Sequence, residues 1–197
     1  NAYAFPDGTI AVTRGMLAEL ENEAQLAAVL GHEIAHVNCG HTASAMSKST
    51  VFDAVVSGTK GYLANKGSSW ADLAGTAGQL GSAVLLANYS REQERQADQG
   101  GMMYMVRAGY DPQGMIGLMQ LLVRISSANP SVLEQMFSSH PMSTERLQAA
   151  QTRAQTEYAG QNAGVDNKAA FLAATANIRK DKAAFKSFST AEAQLGQ

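Results

Sequence analysis

The chain has 197 residues, of which 45% are hydrophobic and 16% charged, with a net charge of −2. This composition indicates a folded globular protein and excludes an intrinsically disordered chain. The isoelectric point near 6.1 argues against nucleic acid as the main partner. Because Cys39 is the single cysteine, no disulfide can form within the chain.

The first thirteen residues predict a β-hairpin. Short apolar stretches at 3–5 and 10–12 flank Pro6-Asp7-Gly8, which is a strong turn signal. Since the chain begins inside a predicted strand, we expect it to be a piece of a longer protein whose targeting segment lies outside the sequence.

A long helix is predicted to follow the hairpin. Asn22 is a suitable N-cap, and Gln25, three residues on, supplies the second half of a capping box. The helix is expected to end at 38–40, where Gly40 favours a stop. The apolar residues expected to face the core are Leu26, Val29, Leu30, Ile34 and Val37.

This helix contains the most informative motif of the chain, His32-Glu33-Ile34-Ala35-His36, which has the pattern HExxH. Residues i and i+4 lie on one helix face, so His32 and His36 can bind one metal ion. Glu33 lies beside the open side of that ion, where a general base is needed to activate water. The pattern is therefore typical of zinc hydrolases.

The segment 42–89 is rich in glycine and small polar residues, and we expect two helical stretches with loops there. Its residues 60–70 mix basic and aromatic side chains and are interpreted as a solvated loop. The longest uncharged run, between Asp72 and Arg91, is too polar to be a good membrane span.

Further helices are predicted from N-cap signals. They begin after Ser90 with Gln93 completing a capping box, after Asp111 with Pro112 in the first helical turn, and after Ser143 or Thr144. They end near Ala108, Asn129 and Tyr158. Residues 159–197 predict one or two peripheral helices. We therefore expect a mainly α fold with a small β-sheet (α+β), with one domain over 1–155 and a peripheral helical segment over 156–197.

A catalytic zinc site usually has three protein ligands, so HExxH needs one more. The three-histidine pattern HExxHxxGxxH requires glycine at position 39 and histidine at position 42, but the chain has Cys39 and Thr42. The alternative is a glutamate on a separate helix. Glu94 fits this role, and Asp98, one turn later on the same face, can accept the free N–H of a zinc-bound histidine. An ordinary solvated helix face is the competing interpretation of Glu94 and Asp98.

These motifs together resemble a known family. GHEIAHVNCGH followed by SREQERQAD, with NAYA before them and AGYDP and SHP after them, is similar to the zinc metallopeptidases that include the CAAX prenyl proteases, bacterial HtpX and periplasmic BepA. The similarity covers most of residues 1–150. It implies a zincin-like domain, specifically a gluzincin, with one Zn²⁺ held by His32, His36 and Glu94 and with Glu33 as general base and then general acid.

The resemblance also implies where substrate and protein are found. The first strand, Asn1, Ala2 and Tyr3, is expected to border the cleft and to pair with an extended substrate. Because the chain lacks the transmembrane helices of the integral-membrane branch, it resembles the soluble periplasmic branch. We expect location in the bacterial periplasm or at the cell envelope, with peripheral membrane association as an option.

Four further residues have competing interpretations. Cys39 is expected to be a small buried apolar residue, and His41 a structural residue or a support for the metal ligands. In the family, the position of His140 lies near the zinc, where it can stabilise an oxyanion or occupy the open zinc position and keep the enzyme latent; an ordinary loop histidine is the third alternative. Arg146 can hold a carboxylate or help to polarise substrate, or it can be an exposed helix residue.

The sequence thus predicts a zinc metalloendopeptidase acting on misfolded or envelope proteins. The main alternative is a latent, chaperone-like zinc protein whose site is blocked by His140. A helical structural protein with a fortuitous HExxH is the third hypothesis.

Overall fold

A computed structural model describes residues 1–47, 89–128, 140, 142–161, 164–184 and 187. The named elements, in chain order, are β1 (Ala2–Ala4), β2 (Ile10–Val12), α1 (Arg14–Glu19), α2 (Glu23–Asn38), α3 (His41–Ser47), α4 (Arg91–Arg107), α5 (Gln113–Ala128), α6 (Thr144–Gln155), α7 (Lys168–Ala174) and α8 (Ala176–Lys180). The expected mainly α fold with a small sheet is confirmed. The helices and the loop predicted between 48 and 88 lie outside the described residues.

The predicted hairpin is present. β1 and β2 are antiparallel, with Ala2 opposite Val12 and Ala4 opposite Ile10. Gly8 takes a φ of +90°, a conformation that glycine adopts at little cost, and its N–H donates to the Phe5 carbonyl at 3.0 Å. The turn therefore forms where Pro6-Asp7-Gly8 predicts it.

The two helices that carry the motif residues begin at their predicted caps. The Asn22 side chain accepts a hydrogen bond from the Gln25 N–H at 2.8 Å, although the Gln25 side chain reaches back to Glu21 and not to Asn22. At the start of α4, Ser90 and Gln93 form a complete reciprocal capping box. These caps satisfy N–H groups that a helix start leaves without partners, and they fix where each helix begins.

The core lies where α2 packs against α4 and α5, with β1 and α6 at its margins. Small residues dominate the buried face of α2, because Ala24, Ala28 and Ala35 are almost completely buried. The larger buried core residues include Met16, Leu20, Val29, Met102, Met105, Met115, Leu118, Met119 and Phe171.

Two predictions about α2 are wrong. Ile34 is 39% exposed, so it lies on the outer face and not in the core. Cys39 is also exposed, because it follows the last helical residue, at the turn where Gly40 takes a φ of +66°. The buried stripe of α2 instead contains alanines, Gly31 and the polar motif residues.

Residues 164–181 pack on the domain. Val165 forms a parallel bridge with Tyr110, and the Glu23 N–H donates to the Asp166 carbonyl at 2.9 Å. Phe171 of α7 is part of the core cluster. Among the described residues, no helix is both long and apolar enough to span a membrane.

Candidate metal centre and active site

Helix α2 presents His32 and His36 one turn apart on its buried face. Their Nε2 atoms lie 3.0 Å from each other, and both side chains are buried. Two imidazole nitrogens this close and this buried create a site for a cation, because each can offer a lone pair to one shared ion.

Helix α4 contributes a buried carboxylate to the same point. Glu94 Oε1 lies 3.3 Å from His36 Nε2, and Glu94 Oε2 lies 3.5 Å from His32 Nε2. Glu94 has no exposed surface. The competing interpretation of Glu94 as part of a solvated helix face is therefore wrong.

His140 lies beside these three residues. Its Nδ1 is 3.0 Å from Glu94 Oε1 and 3.2 Å from His32 Nε2, while its Nε2 is 3.5 Å from Glu33 Oε1. Of the interpretations of His140, the ordinary loop histidine is wrong, because its ring touches both α2 and α4 side chains.

The donor set suits a metal ion. His32, His36, Glu94 and His140 each direct one ligand-type atom to a common point, and these atoms all lie within 4.8 Å of one another. In a tetrahedral zinc site with bonds of 2.0–2.1 Å, ligand atoms are separated by about 3.3 Å. The separations of 3.0 to 3.5 Å among His32, His36 and Glu94 fit that spacing.

Asp98 and Arg146 support the α4 side of the site. Asp98 Oδ1 lies 3.1 Å from His32 Nδ1, as its position one turn after Glu94 predicts. Arg146 donates from Nε and Nη2 to the two Asp98 oxygens, at 2.7 Å each, and its Nη1 lies 2.6 Å from Glu94 Oε2. Arg146 is buried, so it is not the exposed helix arginine that was one of the alternatives. Its single positive charge pairs with two buried carboxylates at once.

These contacts govern the charges of the cluster. Burial alone would raise the pKa of Glu94, but its contacts with His140 and His36 and the charge of His32 hold that pKa far below its usual value. Burial lowers the pKa of His36 to about 3, although its contact with Glu94 opposes the shift. Glu94 therefore stays ionised and His36 stays neutral, which are the forms that bind a metal.

Glu33 lies at the edge of this cluster. It is buried, and its Oε2 has no hydrogen-bond partner among the described residues. A buried carboxylate oxygen without a donor is costly unless a water or substrate group supplies one. Glu33 Oε2 can accept a hydrogen bond from such a group.

Glu33 lines an open cleft together with His32 and His140. Of the three residues predicted to border the cleft, Asn1 and Ala2 line it, whereas Tyr3 is not among its lining residues. The rest of the wall is largely apolar, from Met16, Val29, Met115, Leu118, Met119, Leu122 and Met142. Met16, Met115 and Met119 thus pack in the core and also form part of the cleft wall.

Two side chains near His36 and His41 are not indicated by the sequence. The Tyr89 ring packs on the His36 ring with centroids 3.9 Å apart, and its hydroxyl lies 3.1 Å from Thr42 Oγ1. Gln96 contacts His41, whose Nδ1 lies 3.2 Å from His36 Nδ1. No spacing rule marks these residues, although Tyr89 directly precedes the Ser90 cap and Gln96 is two residues after Glu94. His41 is a neighbour of the metal cluster, as expected.

A HExxH helix, a carboxylate from a second helix and a small flanking sheet define a zincin-like metallopeptidase domain. The family model for peptidase family M48 matches residues 1–154, and the chain belongs to this family. The mainly helical fold with its small sheet agrees with that assignment.

Named relatives are similar over the same part of the chain. The chain is 30% identical over 156 residues to the metalloprotease YcaL of Escherichia coli, covering 78% of this chain and 58% of YcaL. It is 32% identical over 157 residues to the beta-barrel assembly-enhancing protease of Yersinia pestis, covering 78% of this chain and 32% of that protein. It is 28% identical over 146 residues to the mitochondrial metalloendopeptidase OMA1 of Arabidopsis thaliana, covering 74% and 28% respectively. The chain thus spans less than two thirds of the length of each of these relatives.

Proposed function

We propose that the protein is a zinc-dependent metalloendopeptidase whose ion is held by His32, His36 and Glu94. The observation that carries this proposal is the convergence of these three side chains next to a cleft that Glu33 lines, where its Oε2 has no hydrogen-bond partner among the described residues. Two imidazoles and one carboxylate are a common ligand set of catalytic zinc, and zinc supplies an acidified water and a polarised scissile carbonyl when bound.

In the proposed mechanism the protein's own groups position substrate and move one proton. Glu33 accepts the proton of the attacking water and later delivers it to the leaving amine. Asp98 and Arg146 hold His32 and Glu94 in place. Ala2 begins β1 and Asn1 directly precedes it. We propose that this strand pairs with an extended peptide through its backbone and that the apolar cleft wall accepts a substrate side chain.

We propose protein substrates of the bacterial cell envelope, including misfolded ones, and a periplasmic or envelope location. The names of the beta-barrel assembly-enhancing relatives support this assignment. The finer placement within the soluble branch of the family that also includes CAAX prenyl proteases and HtpX is part of the same proposal.

The test is a comparison of the Glu33→Gln variant with the unchanged protein. We expect the variant to retain zinc and to lose casein cleavage by a factor of about 10² to 10⁴, because glutamine cannot accept the proton. Metal analysis measures whether the variant retains zinc, and the release of casein fragments measures its loss of cleavage. Cleavage at the unchanged rate would contradict the assignment of Glu33.

A second candidate function has its own supporting observation. His140 belongs to the same four-residue donor group as His32, His36 and Glu94, so its ring can take the position that water would need. In this case the protein is a latent, chaperone-like zinc protein. Replacing His140 with alanine would then switch cleavage on, whereas it would reduce cleavage if His140 stabilises the oxyanion.

A further inference from the structure

On the side away from the cluster of His32, Glu94 and His140, the ring of His36 faces the ring of His41. Its Nδ1 lies 3.2 Å from Nδ1 of His41, and neither ring alone determines which nitrogen carries the hydrogen. In His32 the hydrogen lies on Nδ1, because this atom faces Asp98, a carboxylate that can only accept. The state of His36 therefore depends on what His41 contacts next.

His41 contacts the side chain of Gln96 on α4. Its Nε2 lies 3.0 Å from Gln96 Oε1, and an amide oxygen can only accept. His41 must then carry its hydrogen on Nε2. In the neutral ring this leaves Nδ1 with a lone pair, so His41 accepts the hydrogen of His36 Nδ1.

Glu92 determines the orientation of the Gln96 amide. Gln96 Nε2 donates to Glu92 Oε1 at 3.1 Å, while Glu92 Oε2 pairs with Arg95. If the amide were turned over, two oxygen atoms would face each other without a hydrogen, and the amide nitrogen would face His41. The Glu92 carboxylate has no hydrogen to donate, so the Gln96 amide must donate to it. This fixes the direction of the hydrogen bonds between Gln96 and His41 and between His41 and His36.

We infer that Gln96, oriented by Glu92, and His41 are positioning residues that hold His36 in the tautomer able to bind the ion. The bonds run in one direction: His36 Nδ1–H to His41, His41 Nε2–H to Gln96, and Gln96 Nε2–H to Glu92. Each link leaves the lone pair of His36 Nε2 directed at the cluster. This inference rests on the proposed metal site.

The turn between α2 and α3 makes this contact geometrically possible. Gly40 takes a φ of +66° and redirects the chain, so His41 begins α3 with its ring against His36. The ring centroids of His36 and His41 are 5.1 Å apart with their planes at 72°, an edge-on arrangement that suits a nitrogen-to-nitrogen hydrogen bond. Gln96 is exposed, so it can be changed without disturbing the core.

The decisive variant is Gln96→Lys, which places a donor where the chain of bonds needs an acceptor. It should drive the hydrogen of His41 to Nδ1, opposite the hydrogen of His36, and weaken zinc binding by about ten- to a hundred-fold. Gln96→Glu keeps an acceptor at the same place and should bind zinc within about threefold of the unchanged protein. Gln99→Lys is the matched control, since Gln99 is exposed on the same helix and the added charge is the same.

Zinc affinity is measured by competition with a chelator, and the His41 tautomer by ¹⁵N NMR of the zinc-loaded protein with labelled histidine. We expect hydrogen on His41 Nε2 and a bare Nδ1. Hydrogen on His41 Nδ1, or equal zinc affinity of the Gln96→Lys and Gln99→Lys variants, would overturn the inference. Failure of the unchanged protein to bind zinc would instead overturn the proposed function.

Discussion

Gly31 of α2 and Gly101 of α4 bring the two helix backbones into contact. A Cβ atom added to Gly31 would lie 2.6 Å from the Gly101 carbonyl oxygen, and one added to Gly101 would lie 2.8 Å from the His32 nitrogen. Glu94 lies two turns before Gly101, so the close approach of these backbones helps to set its distance from His32 and His36.

Gly31→Ala should separate the helices and destabilise the protein by about 1–3 kcal/mol, because the added methyl meets backbone atoms that cannot move aside. Zinc affinity should fall with it, since Glu94 moves away from α2. Gly15→Ala is the control: nothing lies within 4 Å of its added Cβ, and alanine stabilises a helix there. Denaturant unfolding checks both, and equal stability of the two variants would contradict this role of the glycine pair.

Arg146→Ala should be the most destabilising change of an ion pair among the described residues. It leaves Asp98 and Glu94 as buried negative charges, and removing one partner of such a group costs about 3–5 kcal/mol. The matched control is Arg124→Ala, which removes an exposed pair with Glu21 and should cost less than about 1 kcal/mol. Unfolding of the metal-free proteins measures the difference, and similar losses in both would contradict the structural role of Arg146.

The metal-free protein should be most stable near the ordinary histidine pKa of about 6.5. The folded pKa of His36 lies at about 3, so between about pH 6.5 and 4.5 the unfolded chain takes up a proton that native His36 does not. Stability should fall there by about 1.4 kcal/mol per pH unit as the pH decreases.

The pKa values of His32 and Glu94 determine how stability changes above and below this pH of maximum stability. Burial opposes the shift, but Asp98 and Glu94 raise the pKa of His32, so its contribution is present below pH 6.5 and lost as the pH rises through the raised value. The lowered pKa of Glu94 makes the acid side steeper below about pH 4.5. Denaturant unfolding at several pH values tests this, and a His36→Gln variant should lose the slope between pH 6.5 and 4.5. An unchanged slope in that variant would contradict the assignment to His36.

Local signals predict two of the helix starts and the shared helix faces of the site residues. Asn22 and Ser90 cap their helices because each cap bonds residues within its own turn, and such contacts are encoded by short spacing. Likewise the four-residue spacings of His32 with His36, and of Glu94 with Asp98, determine a shared helix face. The exception is Gln25, whose side chain bonds to Glu21 and does not complete the capping box predicted with Asn22.

The sequence does not predict which residues are buried where burial depends on a partner helix. Hydrophobicity predicts Ile34 in the core, yet the closest contacts of α2 with α4 are made at Gly31 and Ala35. The closeness of that contact excludes large side chains, and no pattern within α2 reveals it. Tyr89 and Gln96 were missed for the same reason, since their contacts to His36 and His41 join separate elements.

The most direct test of the central claim is the zinc content of the unchanged protein and of Glu94→Ala after equilibrium dialysis against zinc. The account predicts one zinc ion per chain in the unchanged protein and loss of that ion in the variant, because two histidines without Glu94 leave the ligand set incomplete. Circular dichroism of the variant would confirm that the helices remain. A folded Glu94→Ala protein that still holds one zinc ion per chain with the same affinity would contradict the account.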